Sequence, residues 1–204
     1  MESSEQEILR GIKDVIGLQP VTLSQIQFAP QWIVKKAIQK ELENYTYKKA
    51  FEEIEISELP RYANLISSHC FFQVKYDGVE NIKLKCRLVP HGNRDKQKHL
   101  VRKDSCTAQF PIIRTLLSMS AIFKLRLAVI DISGAYLQSV PLNREIYMRP
   151  PPGWASSSKV VWKLLKPAYG LAELGRLWQL TVEKWLHEKY KFCLLYTSPS
   201  PRDA

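Results

Sequence analysis

No stretch of this sequence stays apolar for the length of a transmembrane span, so no helix is expected to cross a bilayer. The start, Met1-Glu2-Ser3-Ser4-Glu5, is acidic where a secretory signal would be basic and then apolar, so no export signal is expected. The four cysteines, Cys70, Cys86, Cys106 and Cys193, form no CxxC pair and show no metal-ligand spacing. That argues against a zinc site or a disulfide framework and for reduced thiols inside a cell. His69 beside Cys70 is read as a strand neighbour, not a ligand pair. Internal repeats are absent too, which sets solenoids and propellers aside.

What remains is a chain of 204 residues, 45% of them hydrophobic, enough for one medium domain or two small lobes with modest cores. The net charge is +10, which favours an acidic partner, nucleic acid first and a membrane surface second. Between Asn81 and Lys103 stand Lys83, Lys85, Arg87, Arg94, Lys96, Lys98, Arg102 and Lys103 against a single acid, Asp95. Charge confined to one part of the chain suits a binding surface. It equally suits a solvated hairpin whose lysines keep an edge strand from aggregating, and the residues alone leave both open.

Periodicity divides the chain. Glu5 to Ile16 has helical spacing through Ile8, Leu9, Ile12, Val15 and Ile16, and Pro20 ends it. Pro30 suits a first-turn position and opens a helix expected to reach about Asn44. Tyr45 to Ile56 fits helix or strand. From Leu65 to Lys75 the period is two, Tyr76-Asp77-Gly78 supplies a turn, and Ile82 to Val89 is the return strand. Lys83, Lys85 and Arg87 then share one face, and Ile82, Leu84, Cys86 and Leu88 the other.

A basic loop follows to Asp104. An apolar helix is expected from Phe110 to Phe123, and Leu125 to Ile130 has the apolar continuity of a buried central strand, ending in Asp131. Ser133-Gly134 turns the chain into a short helical piece. Ile146–Met148 and Val160–Leu164 are further strands. Leu174 to Tyr190 is a final helix with Leu177, Trp178, Leu180, Thr181 and Trp185 at core spacing.

Asp131 is the leading candidate for chemistry. A carboxylate at the end of an apolar strand, before a tight turn, points from a sheet edge towards a cleft. Magnesium is usually held by one or two such carboxylates plus substrate phosphates. The turn would also aim N–H groups at phosphates. Taken alone, an aspartate that ends a strand is more often a helix cap or a salt-bridge partner.

The motifs carry a resemblance. Val129-Ile130-Asp131-Ile132-Ser133-Gly134-Ala135-Tyr136-Leu137 resembles the first catalytic motif of copia-type retrotransposon reverse transcriptases. Lys85-Cys86-Arg87-Leu88-Val89-Pro90-His91-Gly92 resembles that family's fingers motif, and Ile146-Tyr147-Met148-Arg149-Pro150-Pro151-Pro152-Gly153 its Tyr-Met…Pro-Gly segment. Trp162 to Leu171, followed by Arg176 and Trp178, resembles its Leu-Tyr-Gly-Leu block, and Trp32…Ala37…Glu41-Leu42 its first helix. The order and spacing are shared from about Pro30 to Phe192. One departure is Ala172-Glu173-Leu174-Gly175, where the family usually carries Lys-Gln-Ala-Pro.

The resemblance implies an α+β fold: the fingers and partial palm of a right-hand polymerase, an antiparallel sheet with packed helices, incomplete at the C-terminus. The expected organisation is a flanking segment over 1–29, a fingers-like lobe over 30–104 and a partial palm over 105–192. Residues 193–204 resemble a translated sequencing adapter, and the natural chain is expected to continue past Phe192.

The implied roles follow the same motifs. Asp131 is the first metal aspartate, and Ile132 binds metal through its carbonyl. Lys85, Arg87, Gly134, Ala135, Tyr136, Tyr169 and Gly170 contact the nucleotide, with Tyr136 testing the sugar 2′-position. Lys83, Arg94, Lys96, Lys98, Arg102 and Lys103 face nucleic acid. The intact parent would use two Mg²⁺ ions, an RNA template, a DNA primer and deoxynucleoside triphosphates. It would be an intracellular polyprotein, in a cytoplasmic virus-like particle or the nucleus, with integrase and ribonuclease H. The second catalytic aspartates belong to a Tyr-x-Asp-Asp hairpin that this sequence does not contain, so the chain alone is expected to bind metal weakly at most and not to polymerise. The alternative is a non-catalytic basic RNA- or DNA-binding remnant of a decayed element.

Overall fold

The computed structural model describes residues 2–77, 81–105 and 107–192; the turn residue Gly78, Cys106 and the adapter-like tail lie outside them. Its elements run α1 (Glu2–Ile16), β1 (Val21–Thr22), α2 (Gln31–Tyr47), β2 (Phe51–Glu55), β3 (Leu65–Ile66), β4 (Ser68–Asp77) and β5 (Asn81–Pro90). They continue with α3 (Phe110–Ile122), β6 (Tyr147–Met148), β7 (Val160–Leu164) and α4 (Leu174–Tyr190). The class is mixed α/β, with four α-helices among the described residues. No helix among the described residues is long and apolar enough to cross a membrane.

One sheet has the order β1-β4-β5 and is antiparallel throughout. Its long hairpin pairs Cys70 with Leu88 and Val74 with Leu84. The alternation written in β5 orients it: Ile82, Cys86 and Leu88 are buried, whereas Lys85 is exposed. Leu9 and Ile12 of α1 and Ile33, Val34 and Ala37 of α2 join the same core as Phe72 and Val74. Full burial of a side chain such as Phe72 or Leu88 stabilises by roughly 1.5–3 kcal/mol.

The second sheet has the order β2-β7-β6-β3. Here the expectation of an antiparallel sheet needs correcting, because β3 and β6 run parallel. Trp162 anchors this sheet: it is fully buried, stacks on Phe51 with centroids 3.8 Å apart, and donates from Nε1 to Glu53 (3.1 Å). The single strand expected over 65–75 is in fact two. Ser67 separates β3 from β4, and the two belong to different sheets.

Three further expectations are corrected. Residues 125–130 form no strand, and Leu127, Val129 and Ile130 are 62%, 99% and 82% exposed. Their sequence supplies an apolar strand, but a strand needs neighbours for its backbone groups, and both sheets among the described residues are built from other segments. Asp131 accordingly does not end a strand. Helix α3 forms where expected, yet only Ser120 on it is buried. Helix α4 contains no buried residue and Trp185 is half exposed, so its apolar spacing is not a core face here.

A polar cluster ties the basic loop to the rest of the fold. Arg144 donates from Nη1 and Nη2 to Asp95 (2.9 and 2.6 Å) and from Nε to Glu173 (2.8 Å). Asn64 and the Gln97 N–H add 2.7 and 2.9 Å bonds to Asp95. Burial alone would raise the Asp95 carboxyl. Arg144, Asn64 and Gln97 outweigh it and hold the pKa at about 2. Glu173, the departure from the family pattern, is thus a buried partner of Arg144.

Candidate nucleotide pocket

β5 is an edge strand, and helices α1 and α2 lie along its open side. Side chains cap that edge at two places. Gln6 bonds both the N–H and the C=O of Ile82 (2.9 and 3.1 Å). At Leu88 the N–H donates to Glu41 Oε1 (3.3 Å), and the Tyr45 hydroxyl donates to the carbonyl (3.2 Å). Alternation along a strand turns the peptide groups of Leu84 and Cys86 to the same side.

Between α2 and this edge opens a cavity of about 500 Å³, within the roughly 300–1,000 Å³ common for ligand sites. Lys40, Glu41 and Asn44 of α2 and Lys48 just after it line it together with Lys83, Lys85, Arg87, Ser133, Gly134 and Tyr169. Five of the sequence-derived residues therefore share one cavity: Lys83, Lys85, Arg87, Gly134 and Tyr169. Gly134 has φ +61°, a left-handed conformation that suits glycine and lets the Ser133-Gly134 turn approach Asn44.

Aromatic contacts join Tyr136 to this group. Its ring meets Tyr169 edge-on at 5.1 Å, and the Arg87 guanidinium lies 5.1 Å from the opposite partner, the Tyr169 ring. Burial raises the Tyr169 hydroxyl pKa; Arg87 opposes this, while Glu41, Tyr136 and Asp131 add to it. Asp131 is thus an electrostatic neighbour of Tyr169, but it is exposed and does not line the cavity. Ile132 is 46% exposed, and Ala135 begins a short 3-10 helix beside Gly134.

Gly170 has a different place. At φ +97° it packs on the end of β5, where an added Cβ would stand 2.5 Å from the Pro90 carbonyl oxygen. The basic loop residues also lie outside the cavity. Arg94 donates to Ser67 (3.2 Å), Lys98 to the Asn93 carbonyl (3.0 Å), and Arg102 to Asp104 (2.9 and 2.8 Å); Lys96 and Lys103 are exposed.

Electrostatics favour an anion. Partial desolvation, then Arg87 and Lys75, lower the Lys85 pKa, and Glu41 offsets them only in part. Burial raises the Glu41 carboxyl pKa, and the Leu88 N–H, Lys85 and Arg87 only partly offset it. The donor set does not fit a two-metal centre: no cluster of three or more His, Cys, Asp or Glu among the described residues could hold a metal ion. These residues were not singled out for binding in the sequence, though Lys40 and Asn44 have the four-residue spacing of one helix face and Lys48 continues it just past the helix end.

Comparison with known proteins places these observations. The family model described as reverse transcriptase (RNA-dependent DNA polymerase) matches residues 51–194. The retrovirus-related Pol polyprotein from transposon TNT 1-94 of Nicotiana tabacum is 31% identical over 174 residues, covering 80% of this chain and 12% of that protein. The truncated transposon Ty1-A Gag-Pol polyprotein of Saccharomyces cerevisiae is 30% identical over 123 residues, covering 60% of this chain and 10% of that one. The chain thus spans about a tenth of the length of these relatives. No solved structure matches it.

Proposed function

Because this chain belongs to the reverse transcriptase (RNA-dependent DNA polymerase) family, copia type, we propose that its cavity between α2 and β5 receives the incoming deoxynucleoside triphosphate of a retrotransposon polymerase. The single observation that carries the reading is the meeting of Lys85, Arg87, the Ser133-Gly134 turn and Tyr169 around one basic cavity. Lys85 and Arg87 take the phosphates. The turn approaches them by its backbone, and Tyr136, packed edge-on against Tyr169, supplies the ring that crowds a ribose 2′-hydroxyl.

In this reading residues 30–104 are fingers and residues 105–192 part of a palm. Asp131 offers one oxygen ligand to a magnesium ion, and Ile132 its carbonyl. The described residues alone do not assemble two metals, so no phosphoryl-transfer step is assigned to them. RNA template and DNA primer lie along the hairpin and the basic loop, and the remaining catalytic carboxylates come from elsewhere in an intracellular parent polyprotein. The apolar surface of α3 and 125–130 is where further polypeptide of that parent packs.

The test is titration of the purified chain with a fluorescent deoxynucleoside triphosphate. Saturable binding is expected, weakened roughly tenfold or more in Lys85→Ala and Arg87→Ala, since each removes a charge-assisted bond. No incorporation of labelled nucleotide on a primed RNA template is expected. Equal binding by both variants would remove the cavity from the reading.

A further inference from the structure

We propose that α2 and its C-cap residue form a second phosphate-binding wall, with Lys40 and Lys48 gripping the polyphosphate tail of the nucleotide from the side facing Lys85 and Arg87. This rests on the nucleotide reading of the cavity and adds residues that the motifs do not reach.

Three observations carry it. Lys40 and Asn44, four residues apart, share one face of α2; Lys48 follows as its C-cap residue, and all three line the cavity. The lining holds five cations, Lys40, Lys48, Lys83, Lys85 and Arg87, against the single carboxylate of Glu41. Lys40, Lys48, Lys85 and Arg87 have no carboxylate within ion-pair distance among the described residues, while Lys36, one turn before Lys40, is paired with Glu5 at 2.7 Å. Unneutralised cations converging on one cavity repel each other unless an anion joins them.

The donors also have capacity to spare. Arg87 Nε is buried with no acceptor. Asn44 has no side-chain hydrogen bond among the described residues, and its amide lies 3.5–3.6 Å from where a Cβ on Gly134 would stand. It can therefore bond to an oxygen held over the Ser133-Gly134 turn. Glu41, one position along the helix from Lys40, is the only carboxylate among the described residues that line the cavity. It is bound to the Leu88 N–H, and burial disfavours its ionised form. A short chain of phosphates suits this arrangement: several anionic oxygens in a row, met by ammonium groups on one wall and an ammonium and guanidinium on the other.

The experiment uses the full chain, with inorganic tripolyphosphate and dTTP as separate probes in isothermal titration. Lys40→Gln and Lys48→Gln are each expected to weaken both probes by about tenfold, the size of one charge-assisted bond. Lys40→Arg should restore most of the loss. Lys184→Gln, on the exposed face of α4, serves as the control for net charge and should leave both affinities unchanged. Weakening by Lys85→Ala and Arg87→Ala but not by the α2 variants would overturn the second wall and leave the nucleotide site standing. Absence of binding by the unmodified chain would overturn both. Equal losses in the α2 variants and Lys184→Gln would reduce the effect to general electrostatics and also overturn the proposal.

Discussion

Arg144 reaches Asp95 with two hydrogen bonds, the shorter 2.6 Å, and the Asp95 side chain has no exposed surface at all. The pair joins the basic loop after β5 to the segment before β6, and Glu173 extends it to the start of α4. Arg144→Ala would strand two buried carboxylates, at a cost of about 3–5 kcal/mol. Urea denaturation should show the midpoint falling steeply, and a fall under 1 kcal/mol would contradict the arrangement.

The same carboxylate sets an acid limit. Its folded pKa of about 2 lies below the ordinary 3.8, so its stabilisation is complete above pH 4 and is lost as pH falls through 2. The linkage amounts to about 2 kcal/mol. Asp95→Asn should flatten the stability profile between pH 4 and 2, measured by denaturant titration at each pH.

Glu41 has the opposite sign. Burial raises its folded pKa above 4.5, so its ionised form opposes folding at neutral pH, and stability is regained as pH falls through the folded value. Glu41→Gln keeps an acceptor for the Leu88 N–H and removes the only carboxylate in the cavity lining. Tripolyphosphate should bind more tightly by roughly 0.5–1 kcal/mol, the scale of a weak ion pair. Weaker binding would mean that Glu41 orients the cations rather than opposing the anion.

Two glycines from distant segments touch through bare backbone. A Cβ on Gly92 would stand 1.9 Å from the Gly170 carbonyl oxygen, so one of the two segments would have to move. Gly92→Ala should cost about 2–4 kcal/mol, among the larger single-site effects. Gly11→Ala, where nothing lies within 4 Å, should be neutral or slightly stabilising because it sits inside α1. Thermal unfolding of both variants checks the contrast.

Phe110, Leu116, Ile122, Phe123, Val129 and Ile130 are all exposed. The chain should bind a hydrophobic dye and self-associate with rising concentration. Val129→Lys, at 99% exposure, should reduce both while changing stability by no more than about 0.5 kcal/mol. Light scattering and dye fluorescence measure the two effects.

Much of the hairpin was legible because β5 alternates charge with apolar residues, and one face of a sheet must be dry. Helix α2 was legible for a similar reason. Residues 125–130 were not, because apolarity says that a segment prefers burial but not which partner buries it. Asp95 looked like a stray acid in a basic loop; its partner Arg144 lies 49 residues away, and no local pattern links them. The α2 side of the cavity was hidden because its Lys and Asn residues occupy positions that ordinary solvent-facing residues fill equally well.

Ser67 stands alone between two strands of different sheets, its carbonyl accepting the His91 N–H at 2.8 Å and its hydroxyl 2.8 Å from His91 Nδ1. A one-residue link cannot stretch. The base of the hairpin is therefore tethered within one residue of the second sheet.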